Sequence, residues 1–261
     1  MAEGPLRDMH AVVTGAGTGI GAATAGRLAR LGASLTLMGR TRATLDRVGD
    51  ELRHADGAHV GIELVDVTRP ASIRRAFEQA ARHAGPPAIL VNNAGAVESA
   101  PFRRTDAALW ERMIAVNLTG PFHCAAEVVP AMVDAGRGRI VTVASTAGLR
   151  GYPYVSAYCA SKHGVVGLTR ALARELAGTG VTVNAVCPGY TDTDLVARSV
   201  EVIATRTGRG RSEARRALEK TNPSGRLVQP EEVAAVIGWL CLPEADMVTG
   251  QAVAVDGGEL A

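Results

Sequence analysis

Aromatic side chains are scarce. Three Phe, four Tyr and two Trp make up 3% of the chain, too few for the stacking platforms that hold single-stranded nucleic acid. Net charge is equally slight, +2 over 261 residues, which leaves no general footprint for nucleic acid or an anionic membrane surface. Cysteine is sparse and unpatterned. Cys124, Cys159, Cys187 and Cys241 form no C-x-x-C and no metal-ligand spacing, so the expectation is a reduced, cytoplasmic protein with small buried thiols and no metal. No run approaches the ~20 apolar residues that span a bilayer. The amino end, MAEGPLRDMH, has no apolar signal segment, and residues 1–9 read as a loose tail. Internal repeats, low-complexity segments and linkers are also missing, which predicts a single unit over 1–261.

What the chain does have is glycine, 30 residues of it, and short apolar runs at regular intervals. His10–Thr14 reads as a β-branched strand that enters Gly15-Ala16-Gly17-Thr18-Gly19-Ile20-Gly21, and an amphipathic helix follows. Strand, glycine turn, helix is the context in which a backbone approaches a pyrophosphate and a helix N-terminus supplies the amides. The spacing is G-x-x-x-G-x-G rather than G-x-G-x-x-G. Further strands are predicted at 34–38, 59–64, 88–91, 139–144, 181–186 and 252–255, each alternating with a helix. One long helix is expected over 106–133, bent or punctuated by Pro121 and Pro130, with Asn117 in its middle. About seven strands at βαβ spacing predict an α/β, doubly wound (Rossmann) parallel sheet with helices on both faces. Ligands then bind at the carboxyl ends of the strands.

Suspicious residues gather at those ends. The glycine loop follows the first strand. Gly39-Arg40 follows the second, where a carboxylate bonds ribose hydroxyls and an Arg accommodates a 2′-phosphate, so Arg40 favours NADP(H) while NAD(H) stays open. Asp66 follows the third, Asn92-Asn93-Ala94-Gly95 the fourth, Ser145 the fifth and Pro188-Gly189 the sixth. Beyond Ser145 a helix is predicted from Ala157, carrying Tyr158 and Lys162 one turn apart on one face. A nearby ammonium favours the phenolate and lowers a phenol's pKa, which suits proton exchange with a carbonyl or alcohol oxygen. Ser145 is a second hydrogen-bond partner for that oxygen. Taken alone, such a pair is an ordinary surface spacing; the convergence is what singles it out. Residues 195–222 carry Arg198, Arg206, Arg209, Arg211, Arg215, Arg216 and Lys220. This reads as a helical lid, at about 190–222, with a basic exposed side that either meets phosphates or is merely solvated.

From about residue 9 to 258 the chain resembles the short-chain dehydrogenase/reductase family, in its single-domain branch. The motifs that carry the likeness are T-G-A-G-T-G-I-G at 14–21, N-N-A-G at 92–95, Asn117, Ser145, Y-C-A-S-K at 158–162 and P-G at 188–189. The resemblance implies a nicotinamide cofactor and a catalytic tetrad of Asn117, Ser145, Tyr158 and Lys162. It also implies that Asp66 and Val67 flank the adenine and that Asn93, Ala94 and Gly95 line the adenosine side. By the same likeness Pro188, Gly189, Thr191 and Thr193 meet the nicotinamide, and a homotetramer forms through the helices around 106–133 and 155–176. The stretch 161–176, S-K-H-G-V-V-G-L-T-R-A-L-A-R-E-L, is similar to ketoreductases acting on acyl thioesters carried by CoA or a carrier protein. After N-N-A-G the chain departs from the polyketide version of those enzymes, with Ala96-Val97-Glu98-Ser99 in place of a Pro-Gly-Gly-like stretch. Three readings stay open: a 3-oxoacyl-thioester reductase, an oxidative dehydrogenase of secondary alcohols, sugars or steroids, and a cofactor-binding regulator without turnover.

Overall fold

A computed structural model describes residues 4–261, with Asp56 described in its backbone only. Its strands are β1 His10–Thr14, β2 Ser34–Gly39, β3 Val60–Leu64, β4 Ile89–Asn92, β5 Gly138–Val143, β6 Val181–Pro188 and β7 Ala252–Val255. All pairings are parallel, in the order β3-β2-β1-β4-β5-β6-β7. The predicted doubly wound sheet is therefore the observed one. Every residue of β1, β4, β5 and β6 is buried, as a parallel sheet covered on both faces demands. Edge strands β3 and β7 are only partly buried.

The helices are α1 Gly19–Arg30, α2 Arg42–Asp56, α3 Pro70–Ala84, α4 Ala107–Ile114, α5 Gly120–Asp134, α6 Ser156–Glu175, α7 Asp194–Thr207, α8 Arg211–Glu219 and α9 Pro230–Leu240. On one face Leu28 of α1, Leu45 and Val48 of α2, and Val233 and Ile237 of α9 share a core with Val13, Leu35 and Val91. On the other, Ile73 and Phe77 of α3, Val128 and Met132 of α5, and Ala173 of α6 pack with Val12, Leu90 and Ile140. The chain runs outward from β1 to β3, returns, and continues from β4 to β7. The carboxyl ends of β1 and β4 thus border the crevice where the order reverses, the place where such sheets bind ligands.

One expectation is corrected and another refined. The first nine residues do not form a loose tail where they are described. Leu6 is fully buried and its amide donates to the Leu31 carbonyl at 2.9 Å, because the apolar end of α1 needs a cover; residues 1–3 lie outside the described residues. The long helix expected over 106–133 runs unbroken from residue 107 to 134, with a wider π-helical turn at Ala115–Thr119 joining α4 to α5. Pro121 follows that turn directly and punctuates the helix there, as expected. Pro130 lies inside α5 without ending it.

The lid segment forms α7 and α8, packed on each other through Val196, Val200, Ala204, Ala214 and Leu218. Its arginines are mostly spent locally. Arg209 pairs with Glu213, Arg211 with Glu201, and Arg215 with both Asp192 and Glu219. Arg206 donates to the Ser99 carbonyl. Arg198, Arg216 and Lys220 are exposed and make no ion pair among the described residues, so the expected basic face is reduced rather than lost.

Candidate active site

The site is built from loops at the carboxyl ends of β1, β4, β5 and β6. In the first loop Gly15 has φ +66° and Gly19 φ +53°, conformations that cost a side chain dearly. Gly21 is excluded from substitution by space: a Cβ there would lie 2.2 Å from the Gly15 carbonyl oxygen and 2.5 Å from Asn93 Nδ2. At Gly17 a Cβ would meet Thr44 Oγ1 at 2.4 Å. Thr18 precedes α1 in extended conformation without a side-chain cap, so the amides of the first turn, including those of Gly19, Ile20 and Gly21, are left to a ligand. A tight glycine cradle opening on an uncapped helix N-terminus fits the pyrophosphate of a dinucleotide. Gly21→Ala is expected to weaken dinucleotide binding by about 100-fold, roughly 2.7 kcal/mol, measured by fluorescence titration; a change under threefold would refute the cradle.

The asparagine motif braces this loop. Asn93 Nδ2 donates to the carbonyls of Thr14 and Gly15, both at 3.0 Å. Thr14 Oγ1, almost fully buried, receives the amides of Asn93 and Ala94 at 3.0 and 3.1 Å. The Asn93 side chain is thereby committed to the protein, and what it offers a ligand is the shape of the loop. Thr14 was passed over in the sequence; its signal was a hydroxyl on the last residue before the glycines. Gly95 lies between two other site residues: a Cβ there would be 3.0 Å from Asn117 Oδ1 and 3.8 Å from Lys162 Nζ. Asn117 itself is buried in the wide turn, accepting from the Ala96 amide at 3.1 Å and donating to the Ala96 carbonyl at 2.9 Å. Its main partner is thus a strand-end loop across the site, with Met113 Sδ of its own helix a weaker one at 3.9 Å.

Ser145 follows β5, and its Oγ accepts from the Ala147 amide at 3.1 Å. Tyr158 and Lys162 lie in the first two turns of α6. The Tyr158 phenol lies beside the Ser145 hydroxyl, which pulls its pKa down. The Lys162 ammonium stands 5.7 Å from the Tyr158 ring centroid and donates to the Val143 carbonyl at 2.8 Å. The expected acidification of the phenol is not what this environment produces. Burial pushes Tyr158 up to about 12, against a smaller downward pull from Ser145. Burial also lowers Lys162, to about 8. Desolvation disfavours both charged forms and sets the direction of both shifts. The result is a phenol that keeps its proton at neutral pH beside an amine poised to exchange one. Cys187, another residue the sequence reading left aside, is buried between the Ser145 amide and Lys162, and burial raises its thiol to about 11.

The remaining predicted residues have mixed fates. Arg40 is exposed after β2, and with Arg69 it faces Asp66, whose carboxyl is held down chiefly by hydrogen bonds from Thr68. Val67 is buried against Gly120. Gly189 donates to the Val255 carbonyl, extending from Pro188 at the end of β6. The Thr191 hydroxyl is turned inward to the Gly189 carbonyl at 3.0 Å. Thr193 precedes α7, its methyl against Gly19, so the lid begins at the glycine cradle.

Comparison with known proteins agrees with this geometry. Residues 9–203 match the short chain dehydrogenase family. A protein named as ketoacyl reductase 1 of the granaticin polyketide synthase, from Streptomyces violaceoruber, is 43% identical over 95% of this chain and 92% of its own length. The cis-4-hydroxycyclohexanecarboxylate dehydrogenase of Sinomonas cyclohexanicum is 42% identical, over 95% of each chain. Among solved structures, an actinorhodin polyketide ketoreductase variant crystallised with NADPH superposes with a TM-score of 0.94 at 38% identity, over 99% of each chain. Glycine cradle, asparagine brace and the Ser145–Tyr158–Lys162 cluster thus stand in a chain that belongs to the short-chain dehydrogenase family of NAD(P)-dependent oxidoreductases.

Proposed function

We propose that this protein reduces the ketone of a 3-oxoacyl thioester with NADPH. The observation that carries the reading is the half-buried Tyr158 phenol beside Ser145 at the mouth of the sheet, with the Lys162 ammonium 5.7 Å from its ring. The glycine loop, the amides at the start of α1, Arg40, Asp66, Val67, Ala94, Gly95, Pro188, Gly189 and Thr193 would hold the cofactor. When bound, the nicotinamide supplies the hydride to the carbonyl carbon.

The chain's own residues do the rest. Tyr158 transfers its proton to the carbonyl oxygen as charge develops there. Ser145 donates a hydrogen bond to the same oxygen, the kind of preorganised stabilisation that gives ~10² or more in rate. Lys162 then returns a proton to the phenolate, and Asn117, fixed by Ala96, orders the path that recharges it. The ketoacyl reductases among the relatives support the substrate class, and Arg40 supports NADPH. One observation favours a second reading: three of the lid arginines, Arg209, Arg211 and Arg215, are paired with acids, which weakens the charge argument for a CoA or carrier handle. A dehydrogenase of alicyclic secondary alcohols, as in one of the relatives, needs no such handle. Homotetramer assembly, the single-unit organisation with α7–α8 as its lid, and a cytoplasmic setting belong to the same proposal. No helix is long and apolar enough to cross a membrane among the described residues.

The deciding experiment is a substrate panel of 3-oxoacyl-CoAs, cyclic ketones and sugars, each run with NADPH and NADH. The proposal requires the highest kcat/KM on a 3-oxoacyl thioester; preference for cyclic ketones would establish the second reading instead. In the same panel Arg40→Ala is expected to raise KM for NADPH about tenfold, ~1.4 kcal/mol, and to leave KM for NADH within twofold. Equal effects on both would remove Arg40 from phosphate recognition.

A further inference from the structure

The segment after β7 returns to the active-site mouth. Asp256 is buried there and accepts from the Gly258 and Leu260 amides, both at 3.0 Å. This sets Glu259, which is only partly exposed, between the loops that follow β5 and β6. One carboxylate oxygen accepts a short hydrogen bond from the Tyr152 hydroxyl. The other lies where a Cβ on Gly189 would approach it to 3.0 Å. Tyr152 also lies beside Thr146, the residue next to Ser145. Arg150 stacks 5.0 Å over the Tyr152 ring and donates to the Glu259 backbone carbonyl at 3.2 Å. The Glu259 carboxylate itself forms no ion pair within 4.0 Å among the described residues. Burial and the adjacent carboxylate push the Tyr152 phenol upward, so Tyr152 keeps its proton in this contact.

A carboxylate fixed at a ligand-binding mouth without a direct ion pair, its nearby Arg150 engaged by the Tyr152 ring and the Glu259 carbonyl, repels anions, and the repulsion is stronger in a partly desolvated site than in water. We propose that Glu259 is a specificity-determining residue, turning away substrates with a negative charge close to the reacting carbonyl and admitting their neutral esters and thioesters. This rests on the carbonyl-reductase reading above. Tyr152 acts through it as a positioning residue.

The test compares acetoacetate with methyl acetoacetate, which share the reacting ketone and differ by one charge. Glu259→Gln keeps an oxygen for Tyr152 and removes the charge. It should raise kcat/KM for acetoacetate about tenfold and leave the ester within twofold. The wild-type protein needs no substitution for a second check: kcat/KM for acetoacetate should rise severalfold between low and high salt while that for the ester stays flat. Parallel changes for both compounds, or none, would overturn the proposal. Should neither compound be reduced, the substrate reading has failed on its own. Calorimetric titration of the NADP-loaded protein then decides the charge: the proposal stands if the acetoacetate Kd lies about tenfold above the ester's and E259Q closes that gap, and falls if the two bind alike or not at all.

Discussion

Tyr158→Phe is expected to lower kcat by about 10³-fold, within the range typical of a lost general acid, while the Kd for NADPH moves less than threefold. The two readouts separate because the change deletes one oxygen. The ring stays packed, and the cradle at Gly15–Gly21 lies on another loop. The Ser145 hydroxyl loses its phenol neighbour but keeps the Ala147 amide, so the loop after β5 holds its shape. Stopped-flow kinetics with a saturating ketone gives the first number and fluorescence titration the second. Retention of a tenth or more of wild-type turnover would remove Tyr158 from proton transfer.

The second large effect joins activity to stability. Lys162→Met should reduce kcat/KM by at least about 10²-fold through the loss of proton return, and at the same time raise the thermal midpoint of the cofactor-free protein. The cause is the cost of holding an ammonium in a buried site. The unfolded chain keeps this proton up to about pH 10.5, the folded chain only up to about 8. Between those values the unfolded state binds more protons, so stability rises with pH there. Below pH 8 the full cost stands, ~3 kcal/mol at about 1.4 kcal/mol per pH unit. Losing the donor to the Val143 carbonyl gives back about 1 kcal/mol. A net gain of ~2 kcal/mol raises the midpoint by roughly 4–8 °C for a chain of this size. The gain should fade by pH 10. A midpoint at pH 7 equal to or below that of the wild type would show that the ammonium is well solvated.

The fold was legible because the strands are short apolar runs, and β1, β2, β4 and β6 end at or just before Gly, Asn or Pro. β1 and β7 have the predicted bounds, and the other strands differ mainly at their ends. What escaped the sequence depends on distant partners. The wide turn at Asn117 exists because its amide reaches Ala96, 21 residues away. Leu6 looked like tail because the surface it covers belongs to α1. The i, i+4 spacing of Tyr158 and Lys162 disclosed their proximity but not the protein around them, and that surrounding sets the sign of both pKa changes. Tyr152 and Glu259 meet across 107 residues, beyond any local pattern.

All four thiols are buried, and burial raises those of Cys124, Cys187 and Cys241. None is offered to a bulky electrophile while the fold is closed. Maleimide labelling of the intact protein therefore becomes a clock for breathing: each adduct records one excursion that opened a layer of the molecule. With one cysteine on the buried side of α5 and others on the buried side of α6, at the end of β6 and at the end of α9, peptide mapping of the adducts would tell which layer parts first.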